Sequence, residues 1–349
     1  MKKLLLMLLI VLTLLSLCAC GETKEPTSDI PSSDSDTLPT FTKESTESIH
    51  DGLGNSIANY SNLMGRIVEC KDYIFHSYTE DYQIVVTEKS TGFATTLPIN
   101  GYNLNLYNNV LYYKSPDSDN IYAYDLISGE VYSPVLPQKP KNTFSYYQFF
   151  VTEHGFVIVY DELISVKEVC VSDFQGNIVA RKNISNSAFR FINEDLLVSL
   201  DNNMITTLSL PNLEERSLAC PPEFNGLESF GDGYLYDICK SEDKNCIIKL
   251  NPLSGEYEKY QIDDSKGYNI SYNNGVLYYT SQDGTSMIST SGEPLGVFNS
   301  LFHIFDMSFT ADGYVYGIAA DKTEDTVNVF SKLYVRLRSD GTELTGLHY

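Results

Sequence analysis

The sequence contains no tryptophan and few basic residues: 24 Lys and Arg stand against 46 Asp and Glu among 349 residues, a formal net charge of -22. Nucleic-acid binding depends mainly on clustered Lys and Arg side chains that displace counterions from phosphate. We therefore expect no nucleic-acid partner. The aromatic content comes instead from 26 tyrosines and 17 phenylalanines, and the composition is that of a large globular protein.

Catalytic motifs are also missing. The chain has no His-Glu-x-x-His motif, no Gly-x-Ser-x-Gly turn and no glycine-rich phosphate loop with a lysine. Its histidines are scattered, at His50, His76, His154, His303 and His348. We predict no catalytic residue and no cofactor, and a binding or scaffolding role is favoured over an enzyme. The alternative is a hydrolase or lyase of envelope glycans that uses loop carboxylates as acid and base.

The N-terminus is typical of a secretory signal peptide. Its apolar run from Leu4 to Leu17 has 14 residues, short of the ~20 that a membrane-spanning helix needs. The end of the run, Leu17-Cys18-Ala19-Cys20, resembles a bacterial lipobox. The resemblance implies a signal peptide of residues 1–19 and a diacylglycerol thioether on Cys20. Two or three acyl chains would hold the protein on the extracytoplasmic side of the cell membrane; secretion as a soluble protein is the alternative.

Residues 20–62 are predicted to be a lipid-anchored tether and lead-in. From Gly21 to about His50 the chain is rich in Ser, Thr, Pro, Asp and Glu. Such a composition buries too little apolar surface to offset its ordering entropy. A flexible chain of about thirty residues reaches on the order of 30 Å, which would hold the following domain clear of the lipid headgroups.

From residue 63 to residue 349 the sequence repeats at a period near forty. In each unit a short polar turn is followed by an apolar, aromatic-rich strand. These strands begin at Tyr73, Val110, Phe156, Leu196, Tyr234, Val276 and Tyr314. Asn-Gly and Asp-Gly pairs in several of these turns supply the positive φ of two-residue hairpins. Most units have a second, glycine-containing turn about twenty residues later, whereas the fourth unit has Pro211-Asn212-Leu213-Glu214 there.

Two hairpins in each unit predict four antiparallel strands, and almost no segment has the 3.6-residue period of a helix. The seven units predict an all-β fold, a β-propeller of seven four-stranded blades, with six or eight blades as alternatives. A pair of β-sandwiches or a β-solenoid is disfavoured, since a sandwich would not keep this paired turn spacing across seven units. Because each unit holds its own four strands, we expect no exchange of a strand between the termini.

Three repeat segments share a tyrosine-rich pattern: Val110-Leu111-Tyr112-Tyr113-Lys114, Val276-Leu277-Tyr278-Tyr279-Thr280 and Tyr122-Ala123-Tyr124-Asp125-Leu126. With the Gly/Asn-rich lead-in from Gly54 to Asn62, they resemble bacterial propellers related to the YWTD propeller of low-density-lipoprotein receptors. The tryptophan of that motif is replaced throughout, most often by tyrosine, and the fourth unit matches poorly. The resemblance implies a propeller of unknown function with an exposed binding role, and it transfers no catalytic residue.

Four tyrosines, Tyr112, Tyr236, Tyr278 and Tyr316, lie in the second strands of their units. Side chains of such a strand alternate between the two faces of a blade, and neighbouring blades pack face to face. We therefore expect these rings to pack between blades rather than to stack on a ligand.

The connections between second and third strands should share one face of the propeller, because the strands alternate in direction. Acidic residues lie in or beside these connections: Glu80, Asp81, Asp117, Asp119, Asp161, Glu162, Asp201, Glu242, Asp243, Asp283, Asp321, Glu324 and Asp325. They predict a face for a cationic protein or cell-envelope ligand; the alternative is that they only keep the protein soluble. Asp117-Ser118-Asp119-Asn120 lacks the Gly and Glu of a calcium loop, so we predict no metal site.

Five cysteines follow Cys20: Cys70, Cys170, Cys220, Cys239 and Cys246. Cys239 and Cys246 flank a polar loop between two predicted strands, so a cross-strand disulfide is a candidate outside the membrane. Two free buried thiols are the alternative. The odd number leaves at least one thiol free or paired between molecules.

Overall fold

Seven four-stranded antiparallel sheets form the blades of a β-propeller in a computed structural model of the chain. The structure describes residues 38–49, 65–77, 79, 81–118, 120–140, 143–162, 166–185, 188–193, 195–201, 203–224, 226, 229–241, 244–262, 265–281, 283–321 and 333–347. These residues all belong to one unit, Ser33–Tyr349. Within them the regular structure is entirely β, and none forms a helix long and apolar enough to cross a bilayer. The predicted all-β propeller with seven blades is confirmed.

The first four blades follow one another along the chain. Blade 1 has β1 (Ile67–Glu69), β2 (Tyr73–His76), β3 (Gln83–Glu88) and β4 (Ala94–Asn100); blade 2 has β5 (Tyr102–Tyr107), β6 (Val110–Lys114), β7 (Ile121–Asp125) and β8 (Val131–Tyr132); blade 3 has β9 (Thr143–Thr152), β10 (Gly155–Glu162), β11 (Val166–Ser172) and β12 (Ile178–Ser185); blade 4 has β13 (Ala188–Asn193), β14 (Leu196–Asp201), β15 (Met204–Ser209) and β16 (Glu214–Ala219).

The remaining three blades repeat the same strand order. Blade 5 has β17 (Ser229–Gly231), β18 (Tyr234–Ser241), β19 (Lys244–Leu250) and β20 (Tyr257–Gln261); blade 6 has β21 (Ser265–Asn273), β22 (Val276–Ser281), β23 (Gly284–Ser289) and β24 (Pro294–Asn299); blade 7 has β25 (Phe302–Phe309), β26 (Tyr314–Asp321), β27 (Leu333–Arg338) and β28 (Thr345–Gly346). First strands of neighbouring blades contact one another: β1 contacts β5, and β21 contacts β25. The first strand of a blade is therefore its innermost strand.

The backbone confirms the predicted hairpin turns. Asn108 and Asn109 have φ of 47° and 64°, and Asp232 and Gly233 have φ of 50° and 81°. These left-handed conformations are the ones that two-residue hairpins require. In blade 4 the glycine of the second turn is missing, and Leu213 takes the left-handed conformation instead, with φ of 56°.

The second-strand tyrosines pack between blades, as predicted. All four are at most 7% exposed. Each contacts an aromatic ring of the next blade around the ring: Tyr112 with Phe156, Tyr236 with Tyr272, Tyr278 with Phe309, and Tyr316 with His76. These rings therefore hold neighbouring blades together and are not available to stack on a ligand.

The ring closes between blades 7 and 1 without exchange of a strand. All four strands of blade 1 precede residue 101 and all four of blade 7 follow residue 301. Apolar packing joins the two blades through Ile67, Ile74, Tyr316, Ile318 and Leu347. The expectation that each terminal blade is complete in itself is confirmed.

Candidate functional site

The strand connections fall on two faces of the propeller, because neighbouring strands in a blade are antiparallel. We name the loop face for the connections between second and third strands: β2–β3, β6–β7, β10–β11, β14–β15, β18–β19, β22–β23 and β26–β27. We name the turn face for the connections between first and second strands and between third and fourth strands. The loop face is the one on which the sequence predicts the acidic residues to lie.

Four of these residues have described side chains on the loop face: Asp81, Asp117, Asp201 and Asp283. Asp81, Asp117 and Asp283 are exposed, and Asp201 is half-buried. None of the four carboxylates accepts a hydrogen bond or pairs with a cation among the residues that the structure describes. Their negative charge is therefore not neutralised by a described neighbour.

The other predicted positions are described only in part. Asp161 and Glu162 end β10, and Asp321 ends β26, so their backbones reach the loop face. Six of the predicted acidic residues lie outside the described residues: Glu80, Asp119, Glu242, Asp243, Glu324 and Asp325. Cys20, the predicted lipidation site, also lies outside them.

Aspartates on the turn face hold the hairpins in shape. Asp125 Oδ1 accepts hydrogen bonds from the backbone N–H groups of Ile127 and Ser128, both at 2.9 Å. Asp173 accepts in the same way from Asn177, and this bonding lowers the pKa of Asp173 below its ordinary value. These carboxylates accept hydrogen bonds within the fold, whereas the four on the loop face accept none from the described residues.

The turn face nevertheless carries free negative charge of its own. Glu130, Glu214 and Glu293 are exposed there, and their carboxylates have no partner in the described parts of the chain. The acidic excess is therefore spread over both faces. Charge alone does not distinguish the loop face as a binding surface.

A contact between the exposed Tyr82 and the half-buried Tyr102 distinguishes one part of the loop face. Tyr82 follows Asp81 in the β2–β3 connection, is 36% exposed, and has its ring centroid 5.2 Å from that of Tyr102 in blade 2. Lys114 Nζ lies 5.4 Å from the Tyr102 centroid. An exposed aromatic ring that directly follows, in the sequence, an aspartate without a described partner is a combination suited to an Arg or Lys side chain. The repeat pattern does not predict this pair, because Tyr82 and Tyr102 belong to two different blades and lie outside the second strands.

The described histidines are not arranged for acid–base chemistry with the loop-face carboxylates. His76 is fully buried, and desolvation together with the nearby positive charge of Arg336 lowers its pKa to about 3. His303 is 5% exposed and its Nε2 lies 2.8 Å from the carbonyl oxygen of Ser281. His154 lies on the turn face, 3.6 Å from Glu153. His50 and His348 lie outside the described residues.

Cys239 and Cys246 are brought together as the sequence predicts. They are direct partners in the antiparallel register of β18 and β19. Both are buried, and their Sγ atoms are 2.7 Å apart. Burial and the neighbouring Cys246 raise the pKa of the Cys239 thiol. Both are free thiols in the structure, so the disulfide between them stays a prediction.

Within the described ranges, no group of three or more His, Cys, Asp or Glu side chains is placed to hold a metal ion. Asp117 lies in the β6–β7 connection, and its sequence neighbour Asp119 is not among the described residues. What the described part of the loop face offers is thus an open surface of carboxylates and aromatic rings.

No family model and no curated protein matches the chain. Several solved propellers are similar to it in fold. The β-propeller domain of the Trilobed protease from Pyrococcus furiosus is 12% identical, over 79% of this chain and 91% of that chain, with a TM-score of 0.48. Hsv2 from Kluyveromyces lactis is 10% identical, over 80% of this chain and 95% of that chain, also with a TM-score of 0.48.

An acylaminoacyl peptidase from Pyrococcus horikoshii is 12% identical, over 79% of this chain and 50% of that chain, with a TM-score of 0.49. At such low identity, none of these proteins transfers an activity, a ligand or a site residue to this chain.

Proposed function

We propose that the protein is a lipid-anchored, extracytoplasmic β-propeller that binds a basic protein or cell-envelope ligand on its loop face. In this proposal residues 1–19 are a signal peptide, Cys20 carries the lipid, and the propeller is related to the bacterial YWTD-like propellers of unknown function. The loop face acts as a binding or scaffolding surface.

The observation that carries the proposal is the contact of the exposed Tyr82 ring with Tyr102 on the loop face, directly after the exposed Asp81 in the sequence. Tyrosine supplies a rigid apolar ring with a polar tip, and such residues are enriched at the centres of protein interfaces. Asp81 adds a negative charge that no described residue neutralises. Together they would receive an Arg or Lys side chain, with the ring contacting its face or stem and the carboxylate pairing with its charge.

A hydrolase or lyase of envelope glycans is the second candidate, and it receives less support. General acid–base catalysis requires two groups held at a defined separation around the scissile bond. The four described loop-face aspartates come from four different blades, and no described histidine is exposed beside them.

Membrane attachment is tested by the variant Cys20→Ser, with Cys18→Ser as the matched control. We expect Cys20→Ser to release the protein from the membrane or leave it unprocessed, and Cys18→Ser to partition like the wild type. Intact mass distinguishes lipidated from non-lipidated protein, because only the lipidated protein carries the acyl chains. It also distinguishes released from unprocessed Cys20→Ser, because only the unprocessed protein keeps residues 1–19. Unchanged mass and unchanged partitioning of Cys20→Ser would reject lipidation at this residue.

Binding is tested by crosslinking on intact cells followed by pull-down. The loop-face triple variant carries Asp81→Lys, Asp117→Lys and Asp283→Lys. The turn-face triple variant, with Glu130→Lys, Glu214→Lys and Glu293→Lys, changes the net charge by the same amount. We expect the crosslinked partner to be lost only with the loop-face triple. Loss with both variants would mean that net charge, and not this face, governs capture.

A further inference from the structure

Residues 38–49, which we name the strap, lie on the turn face of blade 1. Two N–H groups of the β1–β2 turn donate to carbonyl oxygens of the strap: Lys71 to Glu47 at 2.9 Å and Asp72 to Ser45 at 3.1 Å. The sequence predicts a tether here because apolar residues are few. The main-chain hydrogen bonds that hold the strap do not depend on composition, so the prediction could not foresee them.

One aromatic ring anchors the strap. Phe41 is only 8% exposed, and its ring centroid lies 4.9 Å from that of Tyr73 and 5.9 Å from that of Phe75 in blade 1. Just after it, Thr42 N–H donates to Ser45 Oγ at 2.9 Å, and Ser45 N–H donates to Thr42 Oγ1 at 3.1 Å. The buried Phe41 ring and the two reciprocal hydrogen bonds between Thr42 and Ser45 hold the strap in one position on blade 1.

The strap spans the turn face from blade 2 to the outer strands of blade 1. Thr46 Oγ1 lies 2.5 Å from Asn109 Oδ1 in the β5–β6 turn. At the other end, Leu38 and Pro39 line a cavity of about 390 Å³ together with Phe93 of the β3–β4 turn. The first residues that the structure describes therefore lie at the turn face of blade 1.

The geometry points to a role for the strap in orienting the propeller at the membrane, with the turn face toward lipid and the loop face outward. This inference rests on the proposed lipidation of Cys20. The strap fixes the point at which the described chain begins on the propeller, and Leu38 follows Cys20 by only 18 positions. Strands of six to eight residues place the loop face about 20 to 26 Å beyond the turn face.

Release of the strap would remove this preference for the turn face toward the membrane. Without the contacts of the strap, the first described attachment to the propeller would be at Gly65, 45 positions after Cys20 instead of 18, and a longer connection constrains orientation less. The exposed Glu130, Glu214 and Glu293 of the turn face repel anionic headgroups. The strap therefore sets orientation at a distance from the lipid, and the loop face meets a macromolecular partner that approaches from outside.

The test uses full-length lipidated protein on vesicles of phosphatidylethanolamine and phosphatidylglycerol with an energy-transfer acceptor in the lipid. A donor dye is attached at Asp283→Cys on the loop face or at Glu293→Cys on the turn face, two exposed sites in blade 6. The five native cysteines of the propeller are buried, so labelling without denaturant reaches the introduced thiol. The strap variant Phe41→Ser/Thr46→Val is labelled in the same two positions.

We expect at least twofold more efficient transfer from position 293 than from position 283, and a smaller difference in the strap variant. Faster hydrogen exchange at the Lys71 and Asp72 amides, with cooperative unfolding retained, verifies that the variant releases only the strap. Equal transfer from both positions on vesicle-bound wild-type protein would overturn the orientation alone. Protein that does not float with the vesicles would overturn the proposed lipid anchor, and with it this inference.

Discussion

The Glu69 carboxylate of blade 1 accepts a hydrogen bond from the backbone N–H of Ala311 in blade 7, with both oxygens 3.1 Å from the nitrogen. Lys89 Nζ contacts the same carboxylate at 2.7 Å and also donates to the carbonyl oxygen of Cys70 at 2.7 Å. Glu69 is 2% exposed. A carboxylate that is held in an ion pair within blade 1 thus accepts a hydrogen bond from the last blade, where the chain has no exchanged strand to close the ring.

We predict that Glu69→Gln lowers the free energy of unfolding by about 2 to 4 kcal/mol, because it leaves the largely buried Lys89 ammonium without its counter-charge. Urea unfolding measures the change. The matched control is Glu343→Gln, which removes an exposed partner of Arg338 and should alter stability by less than about 1 kcal/mol. Equal effects from the two substitutions would contradict a special role for Glu69 in closure.

For Tyr236, in contrast to Glu69, we expect that removal of the polar group does not lower the free energy of unfolding. Its hydroxyl is buried and has no hydrogen-bond partner in the described structure, so Tyr236→Phe should leave stability unchanged or raise it by up to about 1 kcal/mol. Tyr260, on β20 of the same blade, donates to Glu258 and lies 3.0 Å from the carbonyl oxygen of Thr290. Tyr260→Phe should therefore cost about 1 kcal/mol. Thermal unfolding of the two variants side by side makes the comparison, and a larger loss for Tyr236→Phe would show that its hydroxyl has a stabilising partner.

The sequence predicts the structural features that depend on a few neighbouring residues, and it does not predict contacts between residues that are distant in the chain. Asp232-Gly233 and Asn274-Gly275 identify hairpins because positive φ is a property of the turn itself. Cys239 and Cys246 could be paired because their hairpin fixes the register. The strap could not be predicted, since Phe41 packs on Tyr73 across more than thirty positions without a periodic pattern. The Tyr82–Tyr102 pair could not be predicted either, because it joins two different blades.

Acid should weaken the fold through His76. Its pKa in the folded state is about 3, well below the ordinary 6.5, so the unfolded chain binds the extra proton between these values. Stability therefore rises with pH in this window and falls as the pH drops below about 6.5, by up to about 1.4 kcal/mol per pH unit. Urea unfolding at pH 7, 6 and 5 should show this slope in the wild type and a reduced slope in His76→Phe. Identical slopes for His76→Phe and wild type would refute the assignment.

Oxidation should join Cys239 to Cys246. Forming the bond removes one proton and one electron from each thiol and lowers the intact mass by about 2 Da, with an extracytoplasmic disulfide or oxygen as the oxidant. The short loop should give a stabilisation of about 2 to 3 kcal/mol, lost on reduction. Cys239→Ser should show neither the mass change nor the sensitivity to reductant, whereas Cys170→Ser should keep both. A peptide map with both thiols free in protein isolated from the cell envelope would show that the pair stays reduced.

Binding of purified protein to washed cell envelopes at low and high salt tests whether the loop face binds a basic partner. We expect the wild type and the turn-face triple variant to bind at about 50 mM salt and to bind more weakly at about 500 mM, because screening shortens the range of the attraction. The loop-face triple variant should bind at least tenfold more weakly at low salt. Equal, salt-dependent binding by the loop-face triple and the wild type would contradict the claim.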